Sequence, residues 1–208
     1  MAIIPSTGPV TMTDINNEFG KGLNLYAYRG VKWYRPDNSR GVFDGLTGNN
    51  PPIDFDEFRG KVGSLPIVPT GDVPYANGSY FTFPNYNKIT VVVAGGQGGQ
   101  CSSIYYNGAY FVTYAGGQGG TSSFGSYGSS VGGAGGGNNS GSTDNSLKLG
   151  AYATPTTIIF DADNPTSPLK GISVLVTVGD GGAGGSGAGI SGSSGAKGSP
   201  GYVTIKVE

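Results

Sequence analysis

Gly179-Asp180-Gly181-Gly182-Ala183-Gly184 has the form G-x-G-x-x-G and follows a β-branched run. Such a loop cradles a pyrophosphate when a helix comes next and aims its N-terminus at the phosphates. Gly185-Ser186-Gly187-Ala188-Gly189 comes next instead, and glycine at this density opposes a helix. The comparable blocks at Gly95 and Gly116 carry Cys101 and Ser122 where the last glycine would stand. Asp161-x-Asp163 opens like a calcium loop, but Pro165 sits where the third ligand is needed, so a turn explains it better. Asp54, Asp56 and Glu57 could pair as acid and base, yet their spacing is that of helix capping. Cys101 has no basic neighbour to activate its thiol. The chain has no histidine and one cysteine, which removes zinc, iron–sulfur and Cys–His chemistry within one chain. No constellation calls for an enzyme, a cofactor or a metal.

The elements around these residues follow one device. Ile89–Ala94 runs into Gly95-Gly96-Gln97-Gly98-Gly99, and Tyr110–Ala115 runs into Gly116-Gly117-Gln118-Gly119-Gly120. Ile172–Val178 runs into the block at Gly179, and Tyr202–Val207 closes the chain. β-branched runs bounded by glycine read as strands. Glycine is 41 of 208 residues, about 20% against a usual share of roughly 7%. Charged residues are 12% and the net charge is −1, leaving no footprint for nucleic acid and no basic patch for a membrane surface. No apolar run reaches the roughly 18 residues of a membrane span, and Met-Ala-Ile-Ile-Pro has no signal-peptide pattern.

Residues 1–62 read as a separate small module, 63–78 as a linker punctuated by proline and glycine, and 79–208 as a glycine-rich domain. In the module, 11–20 reads as a helix capped by Thr11 or Thr13 and stopped by Gly20. The segment 53–61 repeats that pattern, with Gly60 as its stop. Leu23–Tyr34 is aromatic and partly alternating, which suggests a strand or an extended arm. The module's aromatics either form a small core of their own or pack on another chain or on the glycine-rich domain.

Gly/Ser tracts are ordinarily flexible linkers. Strands enter and leave these tracts repeatedly, which argues for order. Ordering glycine is costly in entropy, so a dense packing must offset it. Left-handed extended helices with three residues per turn and about 3.1 Å rise could lie side by side and bond laterally through their main chains. The phasing fits, since Gly192, Gly195, Gly198 and Gly201 are three apart, as are Gly95/Gly98, Gly116/Gly119 and Gly181/Gly184.

Strand, Gly-Gly-x-Gly-Gly, aromatic hairpin, V-T-V-G-x-G-G and a final G-x-x-G-x-x-G-Y-V-T-I together resemble the glycine-rich domain of bacteriophage tail-fibre proteins, over roughly 79–208. They are also similar to the tip adhesins of T-even-like phages. Pro5-Ser6-Thr7-Gly8-Pro9-Val10-Thr11-Met12-Thr13-Asp14-Ile15-Asn16-Asn17-Glu18-Phe19-Gly20 resembles a short repeat at the start of many phage virion proteins, and Asp56-Glu57-Phe58-Arg59-Gly60-Lys61 resembles its partner repeat with Glu57 inserted. The resemblance implies a mainly β fold, a β-sandwich with packed polyglycine-II helices behind a module of short helices. It implies a virion location and a tail-fibre or tail-tip adhesin that contributes to host-receptor recognition. The alternative is a non-adhesive virion component: a capsid decoration, collar or baseplate protein. Expected partners are other virion proteins, as a homo-oligomer or docked on a fibre or baseplate protein, and a host surface glycan or outer-membrane protein. Nucleic acid and membrane insertion are not expected.

Tyrosine among Gly, Ser and Asn makes a low-entropy contact surface. On that ground Tyr105, Tyr106, Asn107, Tyr110, Phe124 and Tyr127 are the expected receptor contacts. Aromatics of a hairpin also pack across strands, which would place some of them over the core. Ile15, Phe19, Trp33, Tyr34, Phe55 and Phe58 are the expected contacts for docking on the virion.

Overall fold

The structure, a computed structural model, describes residues 4–45, 51–102, 104–106, 110–112, 114–137, 148–186 and 194–208. The fold is mainly β, made of antiparallel sheets with few helices.

In the N-terminal module, helix α1 spans Met12–Phe19. Thr11 caps it reciprocally with Asp14, and Gly20 ends it in the left-handed conformation, as its position just past the last apolar residue requires. Two 3-10 turns follow, at Leu25–Tyr28 and Phe55–Phe58. The first replaces the front part of the strand or extended arm expected at Leu23–Tyr34, because the Asn24 side chain accepts the Tyr26 N–H and folds the chain back, while Lys32–Tyr34 is a strand. The two turns match closely. Asn24 and Asp54 cap them, Arg29 and Arg59 follow with φ −59° in both, and Gly30 and Gly60 then take φ of 77° and 66°. The internal repeat therefore relates 24–30 to 54–60, not α1 to the second turn. Tyr28 and Phe58, the last residues of the two turns, meet edge-to-face with centroids 5.4 Å apart. Strands β1 (Lys32–Tyr34) and β2 (Arg40–Val42) form a hairpin beside them. Ile4, Ile15, Tyr28, Phe43, Ile53 and Phe58 make one buried core.

Residues 63–78 run along the larger domain. Within them β3 (Val73–Pro74) pairs with the last strand, the Thr70 N–H donates to the Val207 carbonyl at 3.0 Å, and Ile67 and Tyr75 pack on the core. The expected linker thus contains one two-residue edge strand, a place where a sheet accepts proline.

Strands β4 (Tyr80–Thr82) and β5 (Lys88–Ala94) precede the glycine blocks, and β6 (Ile104–Tyr106) and β7 (Tyr110–Val112) pair as a hairpin. The remaining strands are β8 (Ser122–Phe124), β9 (Gly128–Ser130), β10 (Thr156–Asp161), β11 (Ser173–Thr177) and β12 (Tyr202–Val207). They form two four-stranded sheets, β10-β5-β12-β3 and β4-β11-β8-β9. Alternate residues of both sheets, including Phe81, Val91, Val93, Phe124, Val176, Val203 and Ile205, fill one buried cluster, the pattern a half-buried strand produces.

Each glycine block continues one of these strands. Segment I (95–102) follows β5, segment III (132–137) follows β9, and segment V (179–186) follows β11. Segments II (114–120), IV (148–154) and VI (194–201) lead back into β8, β10 and β12. Segment I lies at the centre. Its N–H groups donate in rotation: Gly96 to Gly120 of II, Gln97 to Ser199 of VI, Gly98 to Ala151 of IV, then Gly99 to Gly117, Gln100 to Ala196 and Cys101 to Lys148, at 2.8–3.0 Å. Its carbonyls accept from the two segments that run parallel to it: Gly133 and Gly136 of III bond Gly96 and Gly99, and Gly182 and Gly185 of V bond Gln97 and Gln100. The neighbours IV, III, II, V and VI are themselves bonded in that order, except between VI and IV.

That arrangement explains where glycine is needed. A Cβ on Gly99 would overlap the Ala183 carbonyl, and one on Gly182 the Gly117 carbonyl. Gln97 and Gln100 face the open side between VI and IV. The Gln97 amide bridges it, donating to the Gly150 carbonyl at 3.2 Å and accepting the Ser199 N–H at 3.4 Å. Interior segments thus hold two glycines in three residues. At the rim, segment VI holds three glycines in eight residues and segment IV one in seven, with Gly150, Gly195 and Gly198 turned inward against segment I.

Candidate binding surface

The bundle fixes where chain leaves and returns. It exits at Ser102, Gly137 and Ser186 and re-enters at Tyr114, Lys148 and Ser194. These positions share one end, since Ser102 N–H donates to the Tyr114 carbonyl at 2.9 Å, Cys101 N–H to the Lys148 carbonyl at 3.0 Å and Gly195 N–H to the Gly185 carbonyl at 3.0 Å. The hairpin β6–β7 belongs to the first of these connections and pairs Tyr105 with Phe111 and Tyr106 with Tyr110. Asn107 lies outside the described residues. The backbone thus brings Tyr105, Tyr106 and Tyr110 to one hairpin at this end.

Phe124 and Tyr127 are elsewhere. Phe124 is fully buried between the two sheets, so the receptor contact expected of it is corrected: it is a core residue of β8. Its inward register and apolar bulk decide that. Tyr127 packs edge-on against Phe160, with centroids 5.0 Å apart, but keeps 41% of its surface exposed. It sits in the β8–β9 turn, at the opposite end of β8 from segment II.

The residues expected to dock the module separate by burial. Ile15 and Phe58 are fully buried in the module's own core and are unavailable to a partner. Phe19 joins them, 5.1 Å from Phe43 and edge-on. The i, i+4 pairing of Ile15 with Phe19 turns both inward on α1. Trp33 is half-buried, with Lys61 Nζ 4.1 Å from its ring, and Tyr34 has the Arg40 guanidinium 4.9 Å from its ring. Phe55 is exposed, as are Tyr26, one of the module's aromatics, and Leu23.

The perturbed carboxylates lie away from the bundle. Asp163 accepts Lys32 Nζ at 2.7 Å and has Arg40 3.6 Å away, across the seam between module and domain. The Lys32 hydrogen bond holds its pKa below the ordinary carboxylate value. Arg40 also donates to the Tyr86 carbonyl at 2.6 Å. Burial raises the pKa of Glu57, while that of Asp14 is lowered by its Thr11 hydrogen bonds.

The decoys resolve locally. Asp54 accepts the Asp56 and Glu57 N–H groups, and Asp56 pairs with Arg59 at 2.6 Å. Asp161 accepts the Asp163 N–H at 2.8 Å in a turn. The G-x-G-x-x-G stretch is segment V, with its glycines against segments II and VI. Among the described residues no group of three or more His, Cys, Asp or Glu could hold a metal ion, and no helix is long and apolar enough to cross a membrane.

Sequence reasoning also missed Val131, Leu149 and Tyr152, which are 62%, 72% and 79% exposed on segments III and IV and their approaches. The signal was present in the period of three: Leu149 and Tyr152 flank Gly150 at that spacing, so they share an outward ridge when the glycine faces in. No protein-family model matches the chain, and neither a curated protein nor a solved structure matches it significantly.

Proposed function

We propose that this chain is a bacteriophage virion structural protein, a tail-fibre or tail-tip adhesin that contributes to host-receptor recognition. In this reading the glycine segments are polyglycine-II helices that extend a two-sheet β-sandwich, and the N-terminal module docks on another virion protein. One observation carries it: a bundle held by main-chain hydrogen bonds gathers the exits at 102, 137 and 186 and the returns at 114, 148 and 194 at one end. Variable contacts on a rigid scaffold are the ordinary arrangement of a recognition surface. The aromatic hairpin at that end supplies area at low entropy cost.

A second reading, a non-adhesive capsid decoration, collar or baseplate protein, draws on Leu23 and Tyr26, both 71% exposed on the module. Two exposed apolar side chains three residues apart suit a partner there as the main interface. Pre-incubating host cells with the purified protein separates the two. The adhesin reading expects particle adsorption to fall, and unchanged adsorption together with a capsid or neck position by particle imaging would sink it.

A further inference from the structure

We propose that the groove between segments III and IV binds an uncharged saccharide, with Tyr152 as its stacking face. The groove has a volume of about 380 Å³ and runs from Ser129 and Val131 past Gly133 to Ala151, Tyr152 and Thr154. No residue lining it carries a charge. Tyr152 leaves 79% of its surface open to water, so its ring offers a large apolar face beside a polar floor.

The walls are preformed. Ala151 N–H donates to the Ala134 carbonyl at 2.8 Å, Ser130 Oγ to the Thr154 carbonyl at 2.8 Å, and Thr156 Oγ1 to the Ser129 carbonyl at 3.0 Å. Gly133 lets the segments close, since a Cβ there would overlap the Ala151 carbonyl. A rigid site loses little freedom when a ligand enters. A sugar presents an apolar C–H face and a rim of hydroxyls. The ring of Tyr152 matches the first, and the hydroxyls of Ser129, Thr154 and Thr156 with the surrounding amides match the second. An anionic or cationic ligand would find no counter-charge in this lining, and an apolar peptide would bury its amides against few apolar side chains.

The proposal deepens the adhesin reading and rests on it for its biological role. The test is saturation-transfer NMR on the full chain with the methyl glycosides of glucose, galactose and N-acetylglucosamine, and with sialic acid as the charged comparison. At least one neutral glycoside should bind, with the same affinity at low and high salt. Tyr152→Ala should weaken it by about tenfold, the scale of one lost aromatic stack, while Tyr152→Phe and Leu149→Ala keep it. Binding by none of the neutral glycosides, or equal binding by Tyr152→Ala with its fold intact, overturns the proposal. The two readings fail differently. If Tyr152→Ala protein binds no glycoside yet blocks adsorption as well as the unaltered protein, the groove is no receptor site and the adhesin stands. If the unaltered protein binds glycosides without blocking adsorption, the groove stands and the adhesin falls.

Discussion

The buried Ser122 hydroxyl accepts the Gly179 N–H at 2.9 Å and donates to the Ala94 carbonyl at 2.7 Å. It joins β5 and β11 from the two sheets at the point where both become glycine segments. Ser122→Ala leaves a buried donor and a buried acceptor unpaired, which costs about 3 kcal/mol. The midpoint of thermal unfolding should fall by roughly 6–12 °C for a chain of this size. An unchanged midpoint would mean that the junction is open to water.

Inward glycine positions of segments II and V should differ sharply from their outward neighbours. Gly182→Val drives a side chain into the Gly117 carbonyl and should cost more than about 3 kcal/mol, enough to abolish a cooperative melt of the domain. Gly117→Val meets Ala183 N at 3.2 Å and should cost less. Ala183→Val, at an exposed position between two inward glycines, should stay within about 0.5 kcal/mol. Equal tolerance of all three in circular-dichroism melts would mark the segments as loose linkers.

Core and docking roles in the N-terminal module separate by truncation. Phe58→Ala removes a fully buried ring that contacts Phe19, Tyr28 and Phe43 and should cost about 3–5 kcal/mol. Phe55→Ala, on the exposed side of the same turn, should cost no more than about 1 kcal/mol. Particle incorporation lost with Phe55→Ala while stability holds would identify a docking contact.

The seam at Asp163 should respond to acid. Its folded-state pKa lies below its ordinary value because Lys32 donates to it. Its stabilisation is therefore complete above roughly pH 5 and is lost as the pH falls through the lowered value. The carboxylate is half-exposed, so solvent screening holds the effect below about 1 kcal/mol. Asp163→Asn should melt slightly below the unaltered protein at pH 7, and the difference should vanish near pH 2 and in high salt. A difference that persists in acid would show a role other than charge.

Local signals were legible where one residue decides the outcome. Thr11, Asp14 and Gly20 specify α1, and Asp54 specifies the turn at Phe55, because capping acts within a few residues. The β-branched runs at Lys88–Ala94 and Tyr202–Val207, bounded by glycine, specified strands. Phe124 was misread because a Ser/Gly-rich setting gives no hint that β11 lies beside it. Its ladder partner Val176 lies fifty-two positions later, and its ring packs on Phe81, Phe83 and Phe160. The short edge strand Val73–Pro74 was not legible for a similar reason, since its ladder partner is β12 at the end of the chain. Within Leu23–Tyr34 the strand holds at Lys32–Tyr34, while Leu25–Tyr28 turns because an Asn24 side-chain bond outweighs β propensity there.

The hydrogen bonds of the glycine bundle run almost wholly between main-chain atoms, and residues such as Asp180, Ala183, Ala196 and Ser199 join it through their backbone groups and not through their side chains. Surface identity and scaffold stability are therefore nearly independent variables in this half of the molecule. Such a chain can drift through many surfaces without passing through unfolded intermediates, and a library randomised at those outward positions should yield folded members at high frequency.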